Sequence, residues 1–217
     1  MKVDTVVFDL DGTLLDTLED LTDSVNYILY KYKYPKRTIS EVRSFVGNGL
    51  RLLLERALPN KVSTKEFDKM LTEFYDYYGK HCAEKTKLYP GIEQMIHTLN
   101  STGIKMAVVS NKGDFAVKDL CEKYLHGIIT LAIGETPSIK RKPAPDMLLY
   151  ALKELGSDLK SSVFVGDSEV DILTSQNAGL TCLSVTWGFR TKEFLAENGA
   201  TAFMEKPEEI LTFLQQQ

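Results

Sequence analysis

Four short apolar runs limit the possible folds more than any other feature of the chain. They are Thr5 to Leu10, Ile104 to Val109, Ser162 to Val165 and Leu180 to Val185. Each is rich in β-branched residues and bounded by turn formers, the pattern of strands buried on both faces of a parallel sheet. A weaker run spans Ile128 to Ile133. Helical periods lie between them: Ile92, Met95, Ile96 and Leu99 share one face, as do Leu148, Leu149, Leu152 and Leu155. Strands alternating with helices predict an α/β fold, a doubly wound (Rossmann-like) parallel sheet with helices on both faces.

The alternation fails between residues 16 and 83. Only helix-type periods occur there: Leu18 to Tyr32, Ser40 to Val46, Leu50 to Leu58 and Lys65 to Cys82. The α/β pattern resumes around Tyr89-Pro90-Gly91. We therefore expect a helical cap of residues 16–83 inserted after the first strand, and an α/β core made of residues 1–15 and 84–217. Asp16 and Glu19 have capping-box spacing and are expected to start the first cap helix and mark the hinge. With 217 residues, 43% of them hydrophobic, the chain can bury a sizeable core unaided. Cys82, Cys121 and Cys182 form no C-x-x-C pair, so neither a zinc site nor a redox motif is indicated. A net charge of −4 argues against a general nucleic-acid binder. No apolar stretch approaches the roughly 18 residues of a membrane span. The N-terminus does not read as a signal peptide. A cytoplasmic protein with no membrane partner is the expectation.

The candidate chemistry sits where the predicted strands end, the edge at which open parallel sheets bind ligands. Asp9-Leu10-Asp11-Gly12-Thr13 closes the first run. By strand alternation Asp9 and Asp11 point the same way, and two adjacent carboxylates need a cation or a shared proton. Gly166-Asp167-Ser168-Glu169-Val170-Asp171 follows the third run, and its acids suit a hard cation. Magnesium takes one or two carboxylates and keeps several waters. Asp9 and Asp167 could supply the carboxylates, with Asp171 orienting a metal-bound water from behind. Asp167 is also placed to cap the following helix, with Asp171 in its first turn. Ser110-Asn111 offers a hydroxyl and backbone N–H groups that can hold phosphate oxygens. In the loop Lys140-Arg141-Lys142-Pro143-Ala144-Pro145-Asp146, Lys142 is the candidate counter-charge for a phosphate.

The order Asp9-x-Asp11-Gly12-Thr13, Ser110, Lys142-Pro143 and Gly166-Asp167 with Asp171 resembles the haloacid dehalogenase superfamily over the whole chain. The helical insertion is similar to that superfamily's cap of the first type. Asp11 places the chain with the phosphotransferases, since the dehalogenase branch lacks it. Phe45-Val46-Gly47-Asn48-Gly49-Leu50, Arg56-Ala57-Leu58, Lys142-Pro143-Ala144-Pro145 and Thr186-Trp187-Gly188-Phe189-Arg190 look like phosphoglycolate phosphatase-type enzymes. Related pyrophosphatases and nucleotidases share much of that pattern.

The resemblance implies a magnesium-dependent phosphatase acting on a small phosphorylated metabolite. Asp9 would become an aspartyl phosphate, and Asp11 would act as acid and then base. Lys142, Ser110 and Asn111 would hold phosphate oxygens. Asp9, Asp167 and the backbone carbonyl of Asp11 would hold Mg2+. Gly47-Asn48-Gly49, with Arg51 and Arg43 nearby, is the candidate specificity loop, and phosphoglycolate is the first choice of substrate. A sugar-phosphate mutase would use the same core. A phospho-accepting signalling switch has a similar acidic cluster, but needs about half this length and no helical insert. The chain is expected to be a monomer or a homodimer.

Overall fold

The computed structural model describes residues 3–59 and 62–216. Its centre is a six-stranded sheet in the order β5–β4–β1–β6–β7–β8. The strands are β1 (Thr5–Phe8), β4 (Lys105–Gly113), β5 (Leu131–Glu135), β6 (Ser162–Gly166), β7 (Thr181–Val185) and β8 (Ala202–Met204). Every neighbouring pair is parallel. The four expected strands are present, the weaker run shifts slightly to become β5, and β8 is an addition. The chain winds outward in both directions from β1, which pairs with β4 on one side and β6 on the other. The strand order therefore reverses at β1, and the crevice beyond its carboxyl end is where a doubly wound sheet binds ligands.

Strand alternation sets two buried faces. Val6 and Phe8 of β1 pack on one side with Met106, Val108, Val163 and Val165. Val7 packs on the other with Ala107, Val109 and Phe164. The first face is covered by α5 (Ile92–Ser101), α6 (Asp114–Leu125) and α10 (Pro207–Gln215), through residues such as Ile96, Leu120 and Ile210. The second is covered mainly by α7 (Asp146–Glu154), through Met147, Leu148, Ala151 and Leu152. Phe8 and Phe164 are fully buried, each stabilising the fold by about 1.5–3 kcal/mol relative to exposure.

The described residues between 18 and 81 form four helices: α1 (Leu18–Lys31), α2 (Ile39–Phe45), α3 (Gly49–Ala57) and α4 (Thr64–His81). α1 and α4 pack together through Val25, Ile28 and Leu29 against Met70, Phe74 and Tyr78. Outside that seam Tyr27 stacks on Tyr77, ring centres 3.8 Å apart. A two-stranded antiparallel ribbon of β2 (Leu15–Asp16) and β3 (Lys87–Leu88) brings together the two passages between the helices and the sheet. Asp20 ties the return passage down. It is buried, and its carboxylate accepts bonds from the backbone N–H groups of Lys85 and Thr86 and from the Thr86 hydroxyl. The expected capping box at Asp16 does not form. Thr17 is the N-cap of α1 and makes no side-chain cap, and Asp16 only accepts a long 3.4 Å bond from Leu18 N. The boxes are at Thr38 with Glu41 and at Ser168 with Asp171, the latter opening α8 (Glu169–Ala178). Between β7 and β8 lies α9 (Lys192–Glu197). Among the described residues no helix is long and apolar enough to cross a membrane.

Candidate active site

The carboxyl ends of β1, β4 and β6 open into one cavity, roofed by the loop between α2 and α3. Asp9, Asp11, Ser110, Asn111, Lys112, Lys142 and Asp167 line its core side. Leu21, Val46, Gly47, Gly49, Leu50 and Leu53 line the helical side. Its water-accessible volume is about 30 Å³, room for about two water molecules.

Asp9 extends β1 by one hydrogen bond, from its N–H to Val165 O at 2.8 Å. Lys142 Nζ lies 2.8 Å from Asp9 Oδ1 and donates to Asp171 Oδ1 at 2.6 Å. The lysine side chain is 2% exposed, that of Asp171 0%. Burial works against the lysine's charge, yet Asp171 and Asp9 hold its ammonium above the ordinary lysine range. Burial pushes the Asp9 carboxyl up to about 7, Asp171 and Asp11 adding to the rise and Lys142 opposing it. Burial also raises Asp167 well above the carboxylate range, with help from Asp171 and Asp9.

Carboxylate oxygens of Asp9, Asp167 and Asp171 all lie within 4.8 Å of one another. Only Lys142 is paired with any of them, and Asp9 Oδ1, though buried, receives no well-aligned hydrogen bond among the described residues. Three buried carboxylates facing one ammonium leave a deficit of positive charge, and hard oxygen donors are what a magnesium ion prefers. The residues present therefore fit such an ion.

Three glycines make room for this cluster. A Cβ on Gly12 or Gly188 would overlap Asp167, and one on Gly166 would overlap Asp171. Gly12 also has φ +82°, which turns the chain directly after Asp11. The loop following β7 completes the clamp, with Phe189 N–H donating to Asp167 Oδ2 at 2.7 Å. Trp187 Nε1 donates to Thr13 O at 3.0 Å. The Trp187–Arg190 segment thus borders the site.

The two aspartates expected to differ in role also differ in their partners. Asp9 and Asp11 both face the cavity, but Asp9 turns to Lys142 while Asp11 turns to Lys112 and Thr17. β1 ends at Phe8, so simple alternation does not govern Asp11. Asp171 has both oxygens engaged, Oδ1 with Lys142 and Oδ2 with the N–H and hydroxyl of Ser168. It anchors the lysine and caps α8. Ser168, and not Asp167, is the N-cap. Ser110 and Asn111 lie inside a longer β4, where the register with β5 breaks between Val109 and Gly113.

The specificity loop is placed differently from expectation. Gly47 and Gly49 line the cavity, whereas Asn48 is the N-cap of α3. Arg51 does not reach the cavity. Its guanidinium is half exposed, stacked 4.9 Å from the Phe67 ring centre and paired with Asp68 at 3.7 Å. Arg43 is exposed and also absent from the lining. The arginine that does line it is Arg190, which pairs with Glu169 at 3.0 Å and donates to the carbonyls of Arg43 and Val46. Asn111 Nδ2 donates to Gly47 O at 3.2 Å and to Lys142 O at 2.9 Å, tying roof to floor.

The family model for haloacid dehalogenase-like hydrolases matches residues 6–185, which include every residue of the acidic cluster. The chain belongs to this family. Phosphoglycolate phosphatase 1 of Pseudomonas aeruginosa is 33% identical to it over 212 residues, 95% of this chain and 78% of that protein. The phosphoglycolate phosphatase of Psychrobacter arcticus is 34% identical over 197 residues, 87% of this chain and 86% of that one. A crystal structure of a phosphoglycolate phosphatase-type protein from Lactobacillus delbrueckii subsp. bulgaricus superimposes with a TM-score of 0.93 at 35% identity, covering 99% of both chains. This haloacid dehalogenase-like hydrolase is thus of the phosphatase type, like phosphoglycolate phosphatases over nearly its full length.

Proposed function

We propose that the protein hydrolyses a small phosphate monoester, with phosphoglycolate as first choice, in two steps through a phosphoryl group carried on Asp9. The observation that carries this reading is the separation of two cavity carboxylates. Asp9 sits in the buried cluster with Lys142, and Asp11 sits apart on Lys112 and Thr17. A nucleophile and an acid–base group need such different surroundings to do different work.

In the first step an Asp9 oxygen attacks phosphorus while the ester P–O bond breaks, and Asp11 gives a proton to the departing oxygen. In the second, Asp11 takes a proton from water as that water attacks phosphorus, which returns Asp9 to a free carboxylate. Lys142, the Ser110 hydroxyl and N–H groups at the β4 register break face the transferring oxygens, where transition-state charge lies. Asp9, Asp167 and the Asp11 carbonyl would hold a magnesium ion, which supplies charge neutralisation between phosphate and carboxylate. Asp171 acts from behind by fixing Lys142.

A cavity with room for about two waters does not admit a phosphate ester, so the cap of residues 16–83 has to swing. The β2–β3 ribbon is our assignment for the hinge. Kinship supports phosphoglycolate over larger esters. The test is phosphate release over phosphoglycolate, sugar phosphates, nucleoside monophosphates and pyrophosphate, with magnesium and with chelator. Phosphoglycolate should give the highest kcat/KM. A tenfold preference for a nucleotide or pyrophosphate refutes the substrate, and full activity in chelator refutes the metal.

A further inference from the structure

The cavity holds a second buried lysine that sequence reading passed over. Lys112 follows Ser110-Asn111, its side chain is 1% exposed, and its Nζ lies 2.8 Å from Asp11 Oδ1. The same ammonium donates to the Tyr78 hydroxyl. Tyr78 belongs to α4 and is fully buried, so the contact joins the helical insertion to the sheet. Thr17 Oγ1, at the start of α1, donates to the same Asp11 Oδ1 at 2.6 Å.

Asp11 Oδ1 therefore takes two donors, one a cation, while Oδ2 takes no hydrogen bond among the described residues. Charge-assisted bonds of this length fix a carboxylate's orientation. A general acid must present its proton-bearing oxygen to the leaving group within hydrogen-bond reach. Burying Lys112 without this use would be costly, because an ammonium out of water is tolerated only where its bonds are made. From the end of β4 it reaches two partners, Asp11 in the turn after β1 and Tyr78 of α4.

We infer that Lys112 is a positioning residue for the phosphatase reaction, locking Asp11 Oδ1 so that Oδ2 faces the leaving-group oxygen when Tyr78 of the closed cap completes the lysine's bonds. The inference rests on Asp11 being the acid–base group. It makes cap closure and acid placement one event, since Tyr78 and Thr17 both come from the segment that has to move.

The experiment compares Lys112→Met and Tyr78→Phe with Asp11→Asn and with the unaltered enzyme, on an alkyl phosphate with a poor leaving group and on p-nitrophenyl phosphate. Breakdown of the Asp9 phosphoryl group is common to both esters, so the comparison is made in kcat/KM, which reports its formation, where a mispositioned acid harms the ester that needs protonation. Lys112→Met should lower kcat/KM on the alkyl ester by about 10–100-fold, part of the roughly 10²–10⁴-fold due to general acid–base catalysis. On the aryl ester it should change kcat/KM by less than about threefold, while kcat falls on both esters wherever breakdown of the shared intermediate limits turnover. Tyr78→Phe keeps the ring in the core and should show the same pattern more weakly, so it carries the test if Lys112→Met does not fold. In an Asp11→Asn background Lys112→Met should add no further loss, the mark of two residues acting as one unit. Equal losses in kcat/KM on both esters, or no loss on either, overturn the inference. If Asp11→Asn itself shows no leaving-group dependence, the acid–base reading falls. If it does and the other two variants do not, only the role of Lys112 falls.

Discussion

Without a divalent cation, the protein should lose stability as pH rises from 5 to 8. Burial raises the Asp9 carboxyl from 3.8 to about 7, with Asp171 and Asp11 adding to it and Lys142 opposing. Between those values the folded state holds a proton that the unfolded chain has released, so stability falls with rising pH across this window and levels off above about 7. Integrated from pH 5 to pH 8, the single site is worth roughly 2–3 kcal/mol. For a chain of this size that is a fall in Tm of roughly 5–10 °C. Asp167 is raised in the same direction and adds to the slope. A cation that binds only the folded state opposes the loss, by about 2.7 kcal/mol at a hundred times its Kd. The assay is thermal unfolding at pH 5, 6.5 and 8 with chelator and with magnesium, beside Asp9→Asn, which lacks the titrating carboxyl. The unaltered protein should show the steeper fall in chelator, and magnesium should flatten it at pH 8. Equal slopes for the two proteins would refute the burial argument for Asp9.

Other positions give sharp expectations. Gly188→Ala places a methyl group against Asp167 and the Gly12 carbonyl. It should cost about 1–3 kcal/mol in unfolding experiments and weaken the magnesium response. Gly49 has φ +82° and its added Cβ would lie 3.0 Å from Glu135 Oε2 and 3.2 Å from Asn111 O. Gly49→Val should therefore reduce kcat/KM for every substrate alike, a generic aryl phosphate included, because it obstructs seating of the roof. An effect on phosphoglycolate alone would restore a direct specificity role. Asp167→Asn should raise the magnesium concentration needed for half-maximal activity, and calcium should substitute poorly, since it tolerates looser geometry and more ligands.

The sheet was legible because its central strands are fully buried and so are continuous apolar runs that end in acids. β8 escaped because Ala202-Phe203-Met204 is three residues at an edge, too short for any period. The β2–β3 ribbon has two residues per strand and is made by pairing across some seventy positions of chain, which no local pattern reports. The acids of the cluster were readable from their places after strands, and Lys142 from its proline-flanked loop. Lys112 was not, because a lone lysine in a turn ordinarily points to solvent, and only the third dimension sets it between Asp11 and Tyr78. The aromatics of α4 hid Tyr78 in the same way, since only one of the row from Phe74 to Tyr78 turns its hydroxyl to the site. Arg51 misled through nearness in sequence to the glycine loop. One helical turn was enough to aim it at Phe67 and Asp68, while Arg190 arrives from the far end of β7.

Carriage of the phosphoryl group on Asp9 can be seen directly by acid quench of the enzyme during turnover followed by mass spectrometry of its peptides. A phosphoryl adduct is expected on the peptide containing Asp9, formed within the first turnover, lost under mild alkali as acyl phosphates are, and missing from Asp9→Asn. Sustained hydrolysis by Asp9→Asn, or a burst-free reaction with no adduct even when Asp11→Asn slows its breakdown, would contradict it.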